Sequence, residues 1–335
     1  MKRPPLALLF CLGLVAAPTA AASFAERTEA QAFALDMEAR HGIDRHAILA
    51  TLGQASHDER VIRLIRPPSK PGVRSWQRYR SRFLDSGRIE AGIDFWRSNE
   101  ERLRDASLRY GVPPEIITAI IGVETHYGRN TGSFGTVSAL ATLAFDYPPR
   151  ADLFRRELEH LFLLAREQGR DPSSYFGSYA GAIGYPQFLP SSIRSYAVDL
   201  DGDGHIDFDT GPIDAIGSVA NYLAQHGWIP DAPIAVPALL SPATDPQPLI
   251  DAGIEPTLSP QQLADAGVTA AASNPPDAPA TLVDLETPGA ATEYWLGYRN
   301  FYVITRYNKS SFYAMAVLEL ATALRETRQL ELSAR

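Results

Sequence analysis

Glu124 is the residue whose position in this sequence best suits acid chemistry. Pro113 and Pro114 begin an apolar run that predicts a helix, in which Glu124 follows Ile120 by four positions and Ile117 by seven. These spacings place the carboxylate on the apolar face of the helix. Burial there disfavours the charged form, and a carboxylic acid that keeps its proton near neutral pH can protonate a glycosidic oxygen.

A structural role is the alternative for Glu124, since a carboxylate at a helix end can point to water or pair with Arg129 or His126. The glycine-rich residues 128–135 favour the catalytic role, because a flexible loop can open a groove beside the acid. We expect His126 and Tyr127 to line or support this groove and not to react.

An aspartate-rich segment is the second candidate site. Asp199, Asp201 and Asp203 occupy the first, third and fifth positions of a calcium loop of the EF-hand type, and Gly204 allows the sharp turn at the sixth. The backbone carbonyl of His205, at the seventh position, is the next predicted ligand. This spacing favours calcium over a chance acidic turn.

The twelfth position of that loop is Thr210, where the standard loop has a bidentate glutamate. Another carboxylate must therefore close the site. The candidates are Asp214 and Asp209, and we prefer Asp214 because it begins the next predicted helix. A single loop predicts a structural ion, since calcium sensors usually pair such loops.

Two further segments contain the residue types of a sugar-binding groove. Ser178 and Gln187, in the glycine-rich residues 177–192, can hydrogen-bond hydroxyl and N-acetyl groups, although a tight loop between helices has the same composition. Residues 294–313 contain eight aromatic residues, some of which must pack in the core. The polar residues 306–310 are predicted to form a wall of the groove.

Composition excludes several classes of protein. The chain has 335 residues, of which 45% are hydrophobic and 21% charged, with a formal net charge of -8. The chain is long enough to bury a large core. Its composition, with one cysteine, excludes a disordered, collagen-like or disulfide-stapled protein. The negative charge argues against nucleic-acid binding, which needs a basic face.

The first 22 residues have the pattern of a cleaved secretory signal. Lys2 and Arg3 precede an apolar stretch that is too short to span a bilayer, and three alanines precede the predicted cleavage before Ser23. The single cysteine, Cys11, lies inside the apolar stretch and not in a lipoprotein signal. We therefore expect an exported chain without cysteine and without a lipid anchor.

Hydrophobic periodicity predicts a mainly α protein of the α+β class, with a minor β part late in the chain. After the signal peptide we expect a single catalytic unit over residues 23–335. Its predicted parts are a helical subdomain of about residues 24–104 plus 303–335, a core of about 105–228, and a β-containing insert of about 229–302.

Several segments together resemble the lytic murein transglycosylase B family, which is glycoside hydrolase family one hundred and three. They occur in order over about residues 30–320, so chance similarity is excluded. The segments are GVPPEII at 111–117, IGVET at 121–125, DYPPRA at 146–151, GSYAGAIGYPQF at 177–188, the calcium loop, AIGSVANY at 215–222 and ITRYN at 304–308.

This resemblance implies a lysozyme-like core with a helical and a small β subdomain around a peptidoglycan groove. It also implies that Glu124 is the sole catalytic acid and base. Glu124 would protonate the oxygen between N-acetylmuramic acid and N-acetylglucosamine, and then deprotonate the muramyl C6 hydroxyl, which attacks C1 to give a 1,6-anhydromuramyl end. The substrate's N-acetyl group can assist, so the second carboxylate of a retaining hydrolase is not needed.

The same match implies the substrate-binding residues and the partners. The sequence departs from the family at Pro186, where glycine is frequent, and at His126 and Tyr127, where an Arg-Trp pair is familiar. We expect a periplasmic monomer that binds peptidoglycan glycan strands, calcium as the only cofactor, no nucleic acid, and wall-synthesis or remodelling proteins as partners. The implied groove residues are Ser178, Gln187, Tyr222, Tyr307, Asn308, Tyr313, Arg150 and Tyr79.

Three other functions stay open at this point. A muramidase would hydrolyse the same bond with water, and a catalytically inactive protein would only bind peptidoglycan. A calcium-responsive regulator would change its partner binding when calcium is removed.

Overall fold

A computed structural model describes residues 23–67 and 72–334 of the chain. The predicted signal peptide and most of the proline-rich loop after Arg66 lie outside these residues. Within the described ranges, no helix is both long enough and apolar enough to cross a membrane. The chain divides into two compact units, one ending at Ser56 and the other beginning at His57.

The first unit contains helices α1 (Thr28–His41) and α2 (Arg45–Gln54). Gly42, in the left-handed region with φ 65°, ends α1, and the Asp44 carboxylate caps α2. Apolar residues among charges favour an amphipathic helix over residues 24–42, and the structure has a short 3-10 turn followed by α1 there.

The second unit contains thirteen of the described α-helices and all six described strands. The helices are α3 (Glu59–Ile65), α4 (Trp76–Arg80), α5 (Ser86–Ser98), α6 (Glu100–Tyr110), α7 (Pro114–Thr125), α8 (Thr136–Asp146), α9 (Ala151–Gln168), α10 (Pro190–Tyr196), α11 (Ile213–Gln225), α12 (Gln247–Asp251), α13 (Pro260–Asp265), α14 (Arg299–Ile304) and α15 (Ser311–Ser333). The strands are β1 (Phe134–Gly135), β2 (Phe176–Gly177), β3 (Ala235–Leu240), β4 (Val268–Ala270), β5 (Thr281–Leu285) and β6 (Glu293–Gly297).

Helix α7 is the central helix of this unit. Ile117, Ile120 and Ile121 are fully buried, and so are polar residues such as Thr118 on the other side of the helix. A helix that is buried all round must be enclosed by others, and α5, α6, α11 and α15 pack against it. The end of α7 is therefore held in a fixed frame.

The predicted β-containing insert is present as a four-stranded antiparallel sheet with the strand order β4-β3-β6-β5. Leu296 of β6 lies opposite both Val236 of β3 and Leu282 of β5. Together with Leu263 of α13 and Val268 of β4 it belongs to a separate hydrophobic cluster. The insert thus has a core of its own.

Two polar contacts tie this insert to the helices. Asn300, which is completely buried, accepts a hydrogen bond from the Ile229 amide at 2.9 Å and donates to the Ile229 and Ala232 carbonyls. On the other side, the Trp76 amide donates to the Glu286 carbonyl at 2.6 Å. These bonds fix the sheet beside α4 and α14.

Aromatic and aliphatic residues recur over residues 76–96 at a spacing that predicts helix, and the structure divides this segment into α4 and α5. The break occurs because the Asp85 carboxylate accepts the Arg88 amide at 2.9 Å and begins a new helix there. The subdomain boundaries derived from the sequence stay a prediction.

Candidate active site

Glu124 lies in the last turn of α7 and is partly buried. The Tyr313 hydroxyl, on α15, donates a hydrogen bond to Glu124 Oε1 at 2.6 Å, and Tyr313 is only 2% exposed. Burial raises the pKa of Glu124 from its ordinary 4.5 to about 7, although the hydrogen bond from Tyr313 lowers it. This carboxyl group can therefore both give and take a proton near neutral pH.

The backbone after Glu124 turns sharply. His126 and Tyr127 are consecutive non-glycine residues in the left-handed region, with φ of 52° and 60°. Such residues persist only where their surroundings hold them, and they concentrate at functional sites. The turn ends α7 directly behind the carboxylate.

Tyr127 holds this turn in place. Its ring packs against Gly122 of α7 and Gly92 of α5, at two positions where a Cβ atom would clash with it. Arg88, also on α5, donates to the Gly122 carbonyl. The supporting residues Arg88 and Gly92 were not predicted; an isolated glycine within a helical pattern was the signal for this close approach.

Thr125 connects α7 to the glycine-rich loop. Its buried hydroxyl lies 3.2 Å from the Tyr185 carbonyl and accepts the Gly128 amide at 3.0 Å. The residue next to the acid thus fixes both loops that border the groove.

Three tyrosines predicted as groove residues form one wall. The Tyr307 and Tyr313 rings are stacked 6.4 Å apart at 15°, and the Tyr222 and Tyr307 rings are 4.8 Å apart. The Tyr307 hydroxyl donates to the Pro186 carbonyl at 3.3 Å and the Tyr222 hydroxyl to the Arg306 carbonyl at 2.8 Å. The wall is therefore rigid before any ligand arrives.

Tyr79 lies at the same site. Burial, and then the charge of Glu124, raise the pKa of Tyr79, and the same two causes raise the pKa of Tyr307 and Tyr313. The structure therefore gathers Tyr79, Tyr307 and Tyr313 within electrostatic reach of Glu124.

The side chains of Ser178 and Gln187 form some of their hydrogen bonds within the protein. The Ser178 hydroxyl accepts the Ala182 amide at 3.1 Å. The Gln187 amide group donates to the Thr131 and Gly184 carbonyls at 3.0 and 2.9 Å. Among the described residues, no hydrogen bond reaches the Gln187 side-chain oxygen, which leaves this acceptor for a ligand.

Glycines of the two glycine-rich segments, residues 128–135 and 177–192, bring parts of the backbone close together. Gly132, with φ 97°, faces the Gly177 carbonyl, and Gly177 faces the Ala182 carbonyl, each at a distance that excludes a Cβ atom. These glycines let the protein's own backbone segments approach each other.

The structure does not join Arg150 or Asn308 to Glu124 by a hydrogen bond within the described chain. Arg150 is exposed and its guanidinium lies over the Phe154 ring, 5.2 Å from the centroid. Asn308 is exposed beside Tyr307. Their binding roles stay predictions.

The aspartate-rich segment forms a loop between α10 and α11. The carboxylates of Asp199, Asp201 and Asp203 each have an oxygen within 4.8 Å of the others. Asp199 accepts the Gly202 and Gly204 amides at 2.7 and 2.8 Å, which holds its pKa below the ordinary value. This convergence of hard oxygen ligands fits a calcium ion.

Asp214 lies behind the loop and not in this carboxylate cluster. Its two oxygens accept the Leu200 amide at 2.9 Å and the Asp207 amide at 2.8 Å, and it is 5% exposed. Asp209 is paired with Arg170 at 2.9 Å. Asp214 thus orders the loop backbone in this structure, and which carboxylate closes the metal site, together with the His205 carbonyl as a ligand, stays a prediction.

The aspartate loop is linked to the groove through Phe208. The carbonyl of this buried residue accepts the Tyr185 amide at 3.3 Å, and its ring lies 6.0 Å from that of Phe188. Phe188 in turn packs against Tyr307, with 5.8 Å between the ring centroids. An ion in the loop would therefore stabilise the groove wall indirectly.

A mostly helical fold with a half-buried, proton-holding glutamate beside a rigid tyrosine wall defines the class of lysozyme-like enzymes that cleave glycosidic bonds. A family model for the transglycosylase SLT domain matches residues 25–322. The chain is 44% identical over 316 residues to the membrane-bound lytic murein transglycosylase B of Escherichia coli, covering 90% of this chain and 84% of that protein.

Two solved structures are similar as well. The E. coli lytic transglycosylase Slt35 in complex with calcium has a TM-score of 0.82 and 44% identity, over 91% of this chain and 95% of that one. SltB3 from Pseudomonas aeruginosa in complex with NAG-anhNAM-pentapeptide has a TM-score of 0.77 and 30% identity, over 90% and 80%. The chain belongs to the transglycosylase SLT domain family, which confirms the predicted fold class and the predicted enzyme class, a peptidoglycan lytic transglycosylase.

Replacing Glu124 by glutamine should stabilise the protein at alkaline pH. The pKa of Glu124 is 4.5 in the unfolded chain and about 7 in the folded protein, so the folded state favours the protonated carboxyl group. As the pH rises from about 4.5 to 7 and above, the buried group must carry a charge, and the free energy of unfolding falls. We expect Glu124→Gln to raise the free energy of unfolding by about 1 to 3 kcal/mol at pH 8.

Thermal melts at pH 4 and pH 8 measure this effect. At pH 4 the wild type and Glu124→Gln should melt alike, and the control Glu326→Gln, at an exposed position on α15, should show no such pH dependence. Equal melting of wild type and Glu124→Gln at pH 8 would contradict a buried carboxylate.

Proposed function

We propose that this enzyme cleaves the bond between N-acetylmuramic acid and N-acetylglucosamine without water, and that Glu124 is its only catalytic acid and base. The observation that carries the proposal is the partly buried Glu124 carboxyl, with a pKa of about 7 and a hydrogen bond from Tyr313. The protonated form donates to the glycosidic oxygen, and the resulting carboxylate removes the proton from the muramyl C6 hydroxyl.

The surroundings of Glu124 support a mechanism with one carboxylate. Burial raises the pKa of Glu124, the Tyr313 hydroxyl lowers it, and Tyr313 is the one side chain among the described residues that hydrogen-bonds this carboxyl group. A retaining glycosidase of the usual kind needs two carboxylates about 5 Å apart. The substrate's N-acetyl group can take the nucleophile's place, and the C6 hydroxyl then closes the 1,6-anhydro ring.

The tyrosine wall would bind the sugar rings through its faces. Tyr307 and Tyr313 are already fixed by packing and hydrogen bonds, so little entropy is lost on binding. The free oxygen of Gln187 and the hydroxyl of Ser178 suit N-acetyl and hydroxyl groups, and we assign Tyr79, Tyr222, Arg150 and Asn308 to the same groove. The complex of SltB3 with an anhydromuramyl ligand supports this type of product.

Glu124→Gln should abolish strand cleavage. The amide is isosteric but cannot give or take a proton, so we expect a loss of at least about 1,000-fold in kcat. Mass spectrometry of digested murein measures the products, because an anhydromuramyl end is one water lighter than a hydrolysed end.

The control for folding is Glu115→Gln, on the first turn of the same helix. It should release anhydromuramyl ends as the wild type does. Products with hydrolysed ends would indicate a muramidase, and a Glu124→Gln variant that still digests murein would overturn the assignment.

Tyr313→Phe should shift the pH profile of kcat/KM. The Tyr313 hydroxyl stabilises the carboxylate form of Glu124, so its removal raises the pKa of Glu124. In the wild type kcat/KM should fall as the pH rises above about 7, because the acid form is lost. In the variant this fall should move to higher pH, by on the order of 1 unit.

Tyr307→Phe is the matched control for this profile. The Tyr307 hydroxyl donates to the Pro186 carbonyl and not to Glu124, so the alkaline fall should stay where it is in the wild type. A shift to lower pH in Tyr313→Phe would mean that Tyr313 does not stabilise the carboxylate.

Calcium is the ion that we propose for the aspartate loop. The converging carboxylates of Asp199, Asp201 and Asp203 support this, and so does the calcium complex of the similar Slt35. The bound ion would neutralise their mutual repulsion and hold the loop between α10 and α11. We assign it a structural role, because no residue of the loop hydrogen-bonds Glu124 within the described chain and the loop is linked to the site through Phe208 and Tyr185.

Calcium should raise the melting temperature by several degrees. A ligand that binds only the folded state at 100 times its Kd adds about 2.7 kcal/mol to the free energy of unfolding. Asp201→Asn should weaken this shift, whereas Asp277→Asn, outside the aspartate loop and in the insert, should keep it. Melting that is the same with calcium and with a chelator would contradict the metal site.

The location that we propose is the periplasm, where murein lies. The signal-like residues 1–22 support export, and the similar E. coli protein is named as membrane-bound. A monomeric state and partners among the wall-synthesis or remodelling proteins stay predictions.

A further inference from the structure

An apolar cavity lies within the β-containing insert. It has a volume of about 270 Å³ and is bounded by helix α13, strand β4 and the loop between β4 and β5. Leu263, Val268 and Leu296, which belong to the hydrophobic cluster of the insert, line it, and so does the loop residue Pro276. We call this space the insert cavity. A ligand inside it would contact the core of the insert directly.

The insert cavity borders a free sheet edge. Among the described strands β4 pairs only with β3, so it is an edge strand. All three residues of β4 line the cavity, although successive side chains of a strand point to opposite faces of the sheet. The cavity therefore extends along the edge of β4 and not over one face.

The backbone of β4 has hydrogen-bonding groups on this free side. The Ala271 amide donates to the Pro237 carbonyl of β3 at 2.8 Å. Ala270, one residue earlier and opposite Ala238, is then a non-hydrogen-bonded position, so its amide and carbonyl point away from β3. Within the described chain no hydrogen bond reaches them. They are available to an extended chain that lies beside β4.

Tyr298 adds an enclosed polar group without a partner. It lines the cavity and is only 3% exposed, and its hydroxyl forms no hydrogen bond with the described residues. Burial raises the pKa of Tyr298, so the hydroxyl keeps its proton and is a donor. A buried donor without an acceptor is unfavourable, and a ligand that brings an acceptor into the cavity would relieve this cost.

The charge of the insert is of one sign. Residues 229–298 contain nine acidic residues and no lysine, arginine or histidine, in a chain whose net charge is -8. Asp277 lines the insert cavity and Asp265 ends α13 beside it, and both are exposed. Neither forms an ion pair with the described residues. The cavity therefore attracts cations and repels anions, including the insert of a second copy of this chain.

We propose that the insert cavity is the docking site for an extended, positively charged segment of a partner protein. The segment would lie along the edge of β4 and place one apolar side chain in the cavity. Its basic side chains would pair with Asp277 and Asp265, and the Tyr298 hydroxyl would donate to one of its carbonyls. This interaction goes beyond the cleavage of murein and does not depend on it.

The combination of features favours a polypeptide over other ligands. The free backbone groups of β4 match the main chain of an extended segment, and the cavity takes a side chain that points toward it. An acyl chain would use only the apolar lining, and a nucleic acid would be repelled by the acidic residues. Only a basic segment with an apolar residue uses the edge, the cavity and the charge together.

A labelled, capped peptide with the sequence Lys-Thr-Lys-Leu-Lys-Thr-Lys is the probe. In an extended strand its leucine and its lysines lie on opposite faces, so the leucine can enter the cavity while the lysines stay outside. Fluorescence anisotropy with the whole protein measures the Kd. Serine in place of the leucine should raise the Kd at least about tenfold, because burial of a leucine contributes strongly to binding. High salt should raise it as well.

Three variants of the protein locate the binding. Ala270→Leu fills the cavity and should raise the Kd at least about tenfold. Tyr298→Phe removes the free hydroxyl and should raise it about three- to tenfold. Asp277→Asn removes one exposed charge and should raise it about two- to fivefold, and this variant tests the site even if Ala270→Leu destabilises the insert.

Ala291→Leu and Glu293→Gln are the matched controls. They add the same side chain and remove the same charge at exposed positions of the insert that do not line the cavity. Both should bind the peptide as the wild type does.

Three results would overturn the proposal. If the serine peptide binds as tightly as the leucine peptide, the attraction is one of charge alone. If a peptide with glutamate in place of every lysine binds equally well, the cavity takes a purely apolar ligand. If the controls lose as much affinity as the cavity variants, the peptide binds elsewhere on the insert.

Discussion

The structure depends on one unfavourable arrangement, a carboxylate placed at the edge of an apolar core. Burial raises the pKa of Glu124 to about 7, which means that its charged form is held at a cost. Tyr313 offsets part of this cost with its hydrogen bond of 2.6 Å. Burial and the Tyr313 hydroxyl together keep the protonated and the charged form of Glu124 accessible near neutral pH. A group that first gives a proton and then takes one needs both forms.

The rest of the unit maintains that balance by preventing Glu124 from moving to water. Helix α7 is enclosed by four other helices, so it cannot rotate. Beyond Glu124, the left-handed turn at His126 and Tyr127 is held by a ring packed against Gly92 and Gly122. The strain of the turn is thus sustained by packing, which ends α7 directly after Glu124.

Local features of the site could be predicted from the sequence, because they depend on spacing within one element. The position of Glu124 on the apolar face follows from Ile117 and Ile120 alone, and the convergence of Asp199, Asp201 and Asp203 follows from their alternation within one short loop. A minor β part late in the chain could be predicted from hydrophobic periodicity, but the strand order β4-β3-β6-β5 could not. Strand order depends on packing across the chain.

Features that join distant segments could not be predicted from local pattern. Tyr313 lies 189 residues after Glu124, and its assignment to the groove came from the resemblance to a family and not from spacing. The sequence also could not show that both carboxylate oxygens of Asp214, the preferred metal ligand, accept hydrogen bonds from backbone amides. Gln187 likewise directs its amide group inward to two carbonyls.

A charge pair between distant segments also supports the position of Tyr313. Asp284, 210 residues away in sequence, pairs with Arg74, and Glu286 lies 3.6 Å from the same guanidinium group. This guanidinium lies over the ring of Phe312, the residue before Tyr313. Arg74 thus joins the β-containing insert to the start of α15. The insert therefore helps to hold in place the helix that supplies the hydrogen bond to Glu124.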